Sequence, residues 1–442
     1  MSKVEMMSAK DQKKGALVPR LRFPEFRDAG EWECAQMGDI YAFKKNNSFS
    51  RDMLNYNAGD VKNIHYGDIH KKFSSHFYAE NENIPFVNCN INLGSISEDC
   101  LCTAGDIIFA DASEDMKDIG KCIEIISNNK ERILSGLHTI FTRQFSSTLV
   151  IGFGGHLFQS PRVRAQIQKE AQGTKILGIS SGRLAKISIS FPFAKGEQQK
   201  IADCLSSLDE RIAAETNKLD AFKTHKKGLL KQLFPAKGET LPQLRFPEFR
   251  DAGEWEWKKL KNVCEINPSS ETLPQTFIYI DLESVSTGKL LSKKTILLEE
   301  APSRAQRLLK NGDIIFQMVR PYQKNNLYCN FNDNKNYVAS TGYALLRALE
   351  DNIFLYQAIH CDNFVDSVIS KCTGSNYPAI NSSDLSGLII STPSLQEQQR
   401  IADCLSSLDE LIAAQTQKIN LLKDHKKGLM QQLFPALDEV RA

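Results

Sequence analysis

Thirteen residues, LRFPEFRDAGEWE, occur at Leu21–Glu33 and again without a change at Leu244–Glu256. A longer block, EQQKIADCLSSLDERIAAETNKLDAFKTHKKGLLKQLFPA at Glu197–Ala236, returns at Glu397–Ala436 with 29 of its 40 positions identical. Self-similarity of this kind constrains a chain more than any composition does, because the same local sequence must build the same supersecondary unit twice. The offset is 223 residues for the first block and 200 for the second, so the intervening segment is 23 residues shorter in the second copy.

Inside the two intervening segments only short echoes survive. Gly105-Asp-Ile-Ile-Phe109 recurs as Gly312-Asp-Ile-Ile-Phe316, and the spacing of Gly173 to Ser181 recurs at Gly374 to Ser382. The alternation Leu184, Ile187, Ile189, Pro192 is matched by Leu385, Leu388, Ile390, Pro393. The expected organisation is therefore a tail (1–20), a variable domain (21–192), a constant helix (193–236), a second variable domain (237–393) and a second constant helix (394–442). The variable segments, about 34–192 and 257–393, have mixed α/β character. Short β-branched and aromatic runs at Ile107–Phe109, Phe277–Ile280, Ile187–Ser190, Ile314–Phe316 and Leu388–Ser391 predict strands. Residues 157–172 and 353–371 have helical patterning.

The constant block predicts a long helix. Ile201, Leu205, Leu208, Ile212, Leu219, Phe222, Leu229 and Leu233 follow a heptad rhythm, and Ile401, Leu405, Leu408, Ile412, Ile419, Leu422, Leu429 and Leu433 repeat it. Over about five heptads this predicts a coiled-coil seam, interrupted by Glu215 and Lys226 in one copy and by Gln415 and Lys426 in the other. The polar interruptions suit either a register-fixing device or contacts to a partner. Ser394 and Glu397 have capping-box spacing, and Pro235 and Pro435 stop both helices. Glu197–Leu233 would extend roughly 55 Å at the α-helical rise. One narrow apolar stripe on so long a helix needs a partner, and the duplicate is the nearest one. The expected fold class is α+β: two mixed α/β domains separated by two long antiparallel helices in a pseudo-two-fold repeat. Phe23, Phe26 and Trp32 of the lead-in are expected to pack on a helix end or on the following domain.

Composition places the chain among ordinary globular proteins: 442 residues, 41% hydrophobic and 24% charged, enough for about two to four domains. Its longest apolar stretches fall far short of the roughly 20 residues a membrane span requires. The first twenty residues, MSKVEMMSAKDQKKGALVPR, lack an apolar h-region, which argues against a secretory signal. Eleven cysteines without a CxxC pair argue against a disulfide framework or a zinc knuckle and for a reducing, cytoplasmic location. The net charge of +2 neither demands nor forbids nucleic acid. Residues 151–192 hold six basic side chains (Arg162, Arg164, Lys169, Lys175, Arg183, Lys186) against Glu170 alone, a run that a solvated face would also explain.

Catalytic patterns are missing. Gly120-Lys121 and Gly288-Lys289 lack the remainder of a phosphate-binding loop. Gly152-Phe-Gly-Gly155 sits in no clear βαβ unit and is taken as a turn, Asn267-Pro268 is followed by serines, and Cys100-x-Cys102 lacks metal spacing. No catalytic site and no metal site are expected. Binding chemistry is better represented. Lys44, Lys45 and Asn46, then His65, Tyr66, Lys71 and Lys72, and finally Gln317, Arg320, Tyr322 and Lys324 interleave cations, amides and aromatics, with Lys175 and Arg183 on the basic run. Arg and Lys suit phosphates and guanine, and Asn and Gln suit adenine edges.

Two dissimilar domains, each followed by a nearly identical helix, together with LRFPEF, IHYGDI, GDIIF and EQQKIADCLSSLDE…HKKGLLKQLFP, closely resemble the specificity subunit of Type I restriction-modification systems. The resemblance covers nearly the whole chain beyond residue 20. It implies that the variable segments are target recognition domains, each reading half of a bipartite, asymmetric DNA sequence, and that the helices set the unspecified gap. It also implies partners: double-stranded DNA, two methyltransferase subunits and restriction-translocase subunits acting in defence against phage. S-adenosylmethionine and ATP would be bound on those partner subunits, and this chain would be non-catalytic. Two other classes compete. A coiled-coil adaptor or DNA-mimicking decoy would bind proteins only, but a mimic needs strong acidity. A fused enzyme would need the missing catalytic motifs.

Overall fold

A computed structural model describes residues 17–94, 96–269 and 272–435. Most of the tail expected over 1–20, and residues 436–442 of the last segment, lie outside the described residues. The chain divides into two units, Met1–Glu215 with Lys418–Ala442, and Thr216–Gln417.

In the first unit Gly105, with φ +88°, turns the chain into the strand Ile107–Ala110, which is buried along its length. That strand pairs with Thr139–Gln144 on one side and Cys122–Ser127 on the other. The edge strands Tyr41–Lys44 and His76–Tyr78 complete a five-stranded sheet. A second sheet runs Ile133–Ser135, Lys62–Ile64, Phe86–Val87, Leu54–Asn55, and its first pair is parallel. The strand Glu33–Gln36 closes the domain by pairing antiparallel with Ser188–Phe191.

The second unit is built on the same plan with different residues. Gly312 (φ +88°) leads into Ile314–Gln317, which lies between Tyr343–Ala348 and Leu327–Tyr328, with Cys264–Ile266 outside the former. Its second sheet runs Lys294–Leu297, Thr276–Ile280, Tyr337–Ser340, Ala305–Leu309, again with one parallel pair. Glu256–Lys259 pairs with Ile389–Thr392. The strands that close each domain thus lie one residue later than the runs Ile187–Ser190 and Leu388–Ser391 suggest. The helical stretches expected at 157–172 and 353–371 are each broken in two. Phe153–Leu157 is followed by Pro161–Glu170, and Asn352–Ala358 by Asp362–Lys371. Pro161 has no N–H to continue a ladder from the preceding helix, so it stands at the first turn of a new one.

The constant blocks form helices α1 (Lys195–Leu233) and α2 (Leu395–Leu433). The first unit holds the beginning of α1 and the end of α2, and they run antiparallel: Asp209 pairs with Lys426 at 2.5 Å and Glu215 with Lys418 at 2.5 Å. Here Ile201, Ala202 and Leu205 share one core with Trp32, Phe153, Met430, Leu433 and Phe434. The second unit holds the other halves. Lys226 pairs with Asp409 at 2.6 Å, and Leu233 and Phe234 join Trp255, Phe354, Ile401 and Leu405. The residues expected along one seam therefore divide. Ile201, Leu205, Ile401 and Leu405 lie in cores shared by a domain and the end of the other helix. Leu219 and Ile419 are buried mid-helix, whereas Leu208, Ile212, Phe222, Leu408, Ile412 and Leu422 are half-buried. Lys226 and Lys426, the polar interruptions, spend their charge on helix-pair carboxylates.

The repeated lead-in holds the start of each helix. Arg22 forms a two-pronged ion pair with Glu197, which also accepts from the Trp32 indole at 3.3 Å. Arg245, Trp255 and Glu397 repeat this arrangement. Ser394 caps α2 by accepting from the Glu397 N–H, but the Glu397 carboxylate does not reach back as a capping box requires, because Arg245 holds it.

Candidate nucleic-acid interface

Two of the side chains singled out for DNA are buried, His65 and Gln317. Asn46 is exposed, although its amide donates to the Gly136 and Thr139 carbonyls. His65 is buried and caps the helix Tyr66–Lys71 by accepting from the Gly67 N–H at its Nδ1. Burial and the Arg51 cation push its pKa down. Gln317 is buried, donates to Gln323 and accepts from the Asn325 N–H. His65 and Gln317 serve the fold, because polar atoms drawn into a core must be satisfied there. The Tyr66 ring packs against His65, His70 and His138.

Four of the eight cations hold acidic partners. Lys44 pairs with Asp99 at 2.8 Å, Lys72 with Asp68 at 3.1 Å, and Arg183 with Glu170 at 3.0 Å. Lys324 reaches Asp362 at 3.1 Å. Lys45, Lys71 and Lys175 are exposed.

Arg320 stands apart. The strand Ile314–Gln317 runs on to Val319, which bridges Ala379, and the Arg320 N–H donates to the Pro378 carbonyl at 2.7 Å. Arg320 and Lys324 flank the short turn Pro321–Gln323, both with left-handed backbone (φ 53° and 54°). Non-glycine residues adopt that region at a cost and concentrate at functional sites when they do. The Arg320 guanidinium carbon lies 4.3 Å from the centre of the Tyr377 ring, and its Nε is buried without a hydrogen-bond partner. Tyr377 and Tyr322 are exposed. A guanidinium stacked on an aromatic face keeps its planar donor edge in a fixed orientation, as bidentate recognition of a planar acceptor pair requires. Sequence reasoning missed Tyr377; its signal was an aromatic at the tip of the recurrent Gly374 turn.

The residues best placed to hold a metal are His76, His156 and Asp209, each with one ligand atom within 4.8 Å of the others. His76 and Asp209 line a cavity of about 800 Å³ together with Ser206, Lys121 and Lys426. Both Asp209 oxygens, however, accept from Lys426, the same pairing that Lys226 and Asp409 make in the second unit. Burial pushes the pKa of both imidazoles down, so they stay neutral beside that ion pair. The cluster is thus explained by helix packing. The Gly152–Gly155 segment wraps a carboxylate: Glu124 accepts from the Gly152 and Gly155 N–H groups at 2.8 and 2.6 Å, and burial pushes its pKa up to about 7. Among the described residues no helix is long and apolar enough to cross a membrane.

Comparison with known proteins agrees with this architecture. The specificity subunit of the MjaVIII type I restriction enzyme of Methanocaldococcus jannaschii is 25% identical over 293 residues, covering 63% of this chain and 69% of that one. The HindI specificity subunit of Haemophilus influenzae is 27% identical over 174 residues, 37% of this chain and 38% of that one. Among solved structures, the S subunit of a type I restriction-modification system from M. genitalium superposes with a TM-score of 0.57 at 14% identity, covering 95% of this chain and 100% of that one. A chain from a type I restriction-modification complex superposes with a TM-score of 0.50 at 16% identity, covering 92% and 98%. Residues 29–224 and 252–424 match the family described as the Type I restriction modification DNA specificity domain, and the chain belongs to that family.

Proposed function

We propose that this chain is the non-catalytic, sequence-reading subunit of a Type I restriction-modification complex. Each unit would recognise one half of a bipartite, asymmetric target in double-stranded DNA, and the paired helices would set the gap between the halves. One observation carries the reading: two domains share a backbone plan, down to the Gly105 and Gly312 turns and the Arg22–Glu197 and Arg245–Glu397 pairs, yet differ in exposed side chains. Duplicated frames with divergent surfaces suit two different half-sites. Equivalent helix surfaces from an internal repeat also suit two equivalent docking sites, one for each of two methyltransferase subunits. Methyl transfer and cleavage, with S-adenosylmethionine and ATP, would belong to those subunits and to the restriction-translocase subunits, all working in the cytoplasm.

Mapping of methylated sites on DNA exposed to this chain and its cognate methyltransferase subunit tests the proposal. A two-part motif with a fixed gap, lost when the chain is omitted, is the expected result. A motif that is the same without the chain would overturn it in favour of a protein-binding adaptor.

A further inference from the structure

The segment that presents Arg320 has a counterpart in the first unit. There Ala112–Ser113 pairs with Leu177–Gly178, Ser113 lying opposite Leu177. The Ile179 N–H donates to the Asp111 carbonyl at 2.9 Å, as the Ile380 N–H donates to Met318 at 3.0 Å. Gln172 and Gly178 exchange backbone hydrogen bonds, as Thr373 and Ala379 do. Both turns hinge on a left-handed glycine, Gly173 (φ +119°) and Gly374 (φ +91°). This register places Ser113 at the position of Arg320 and Ile176 at the position of Tyr377.

The two frames therefore display different chemistry at the same place. Each tip exposes one large side chain that contributes nothing to its domain core: Ile176 is 65% exposed and Tyr377 64%. The same position of the shared frame thus presents a large side chain to solvent in both units, an isoleucine in one and a tyrosine in the other. In the second unit Arg320 adds a cation that, unlike Lys324, Arg347 and Arg183, has no ion-pair carboxylate among the described residues. The Tyr377 ring lies against its guanidinium, 4.3 Å from ring centre to guanidinium carbon.

Resting on the function proposed above, we infer that these two tips are equivalent base-contacting elements. Arg320, braced by Tyr377, reads a guanine edge in one half-site, and Ser113 with Ile176 makes a different contact in the other half. Guanine presents two acceptors, O6 and N7, to a bidentate guanidinium in the major groove. Phosphate contact would not require a stacked and strained arginine.

The test uses the full chain with its methyltransferase subunit and maps methylated sites for the wild type, R320S, R320K and Y377I. R320S is expected to relax one guanine position in one half of the motif, with discrimination there falling about 5- to 150-fold and the other half unchanged. R320K keeps the charge but not the planar fork, and is expected to relax the same position while overall methylation persists. Y377I is expected to weaken discrimination at that position alone. A two-part wild-type motif that R320S and R320K leave unchanged overturns the inference and spares the proposed function. An R320S loss equal at all sequences, rescued by R320K, makes Arg320 a phosphate contact and overturns it too. A wild type without a two-part motif removes both.

Discussion

Arg22 and Glu197, 175 residues apart in sequence, meet in a two-pronged ion pair with N···O distances of 2.8 and 2.7 Å. Both side chains are almost fully buried, and Trp32 donates to the same carboxylate. The pair fixes the lead-in segment to the first turn of α1, so the domain and the helix that follows it are joined at one point. Removing one partner of such a pair leaves an uncompensated buried charge, at a cost of about 3–5 kcal/mol. E197A is expected to destabilise the first unit by that amount, and E397A the second, each read as a lower urea midpoint. An effect below about 1 kcal/mol would mean that water reaches the Arg22 guanidinium and that the junction is held by apolar packing alone.

The Lys426–Asp209 and Lys226–Asp409 pairs are less buried, with Asp209 and Asp409 side chains 36% and 42% exposed. Solvent screening limits each to about 1 kcal/mol. Their role is register, because a slip of either helix by one turn would set Lys426 against a neighbour other than Asp209. D209K is expected to destabilise by putting like charges together, and D209K/K426D to recover most of the loss in a double-mutant cycle. No recovery would show that the two side chains act independently.

The division between what is legible in the sequence and what is not follows from these contacts. The two helices and their antiparallel pairing are written in the heptads and the repeat, because helix periodicity is local and pairing of a lone stripe is nearly forced. The strands at Gly105-Asp-Ile-Ile-Phe109 and Gly312-Asp-Ile-Ile-Phe316 are legible for the same reason. The partners of Arg22, Lys226 and Lys426 are not, since each lies more than 170 residues away. Polarity alone also cannot separate His65 and Gln317, which are buried in the fold, from Arg320, which is half-buried on a strained turn. Tyr377 escaped because a single aromatic in a turn has no periodicity, and only its pairing with Arg320 gives it meaning.

Leu205 and Leu405 are fully buried and occupy the same place in the two constant helices, each between a domain core and the end of the other helix. Truncation to alanine removes packing on both sides and is expected to cost about 2–5 kcal/mol per site. The two losses should add, since L205A lies in the first unit and L405A in the second. Chemical denaturation of both single variants and the double variant checks this. Strong non-additivity would mean that the two cores unfold as one.

His360 gives the second unit a pH dependence whose sign is fixed by geometry. One ring nitrogen, Nδ1, lies 2.6 Å from the Tyr356 carbonyl and donates to it, and Nε2 accepts from the Asn326 amide at 3.2 Å. Only the neutral ring satisfies both. Burial pushes its pKa down to about 4 from the usual 6.5. The folded pKa is lower than the unfolded one, so this contribution is fully present above pH 6.5 and is lost as pH falls toward 4. The span corresponds to at most about 3 kcal/mol at 1.36 kcal/mol per unit. H360N keeps a donor toward Tyr356 but cannot ionise. It is expected to be less stable than the wild type at pH 7 and to show a flatter stability profile between pH 4 and 6.5. Urea midpoints at pH 4.5, 5.5 and 7 decide the matter. If wild type and variant lose stability in parallel across that range, other groups carry the pH dependence and His360 is protonated without penalty in the folded unit.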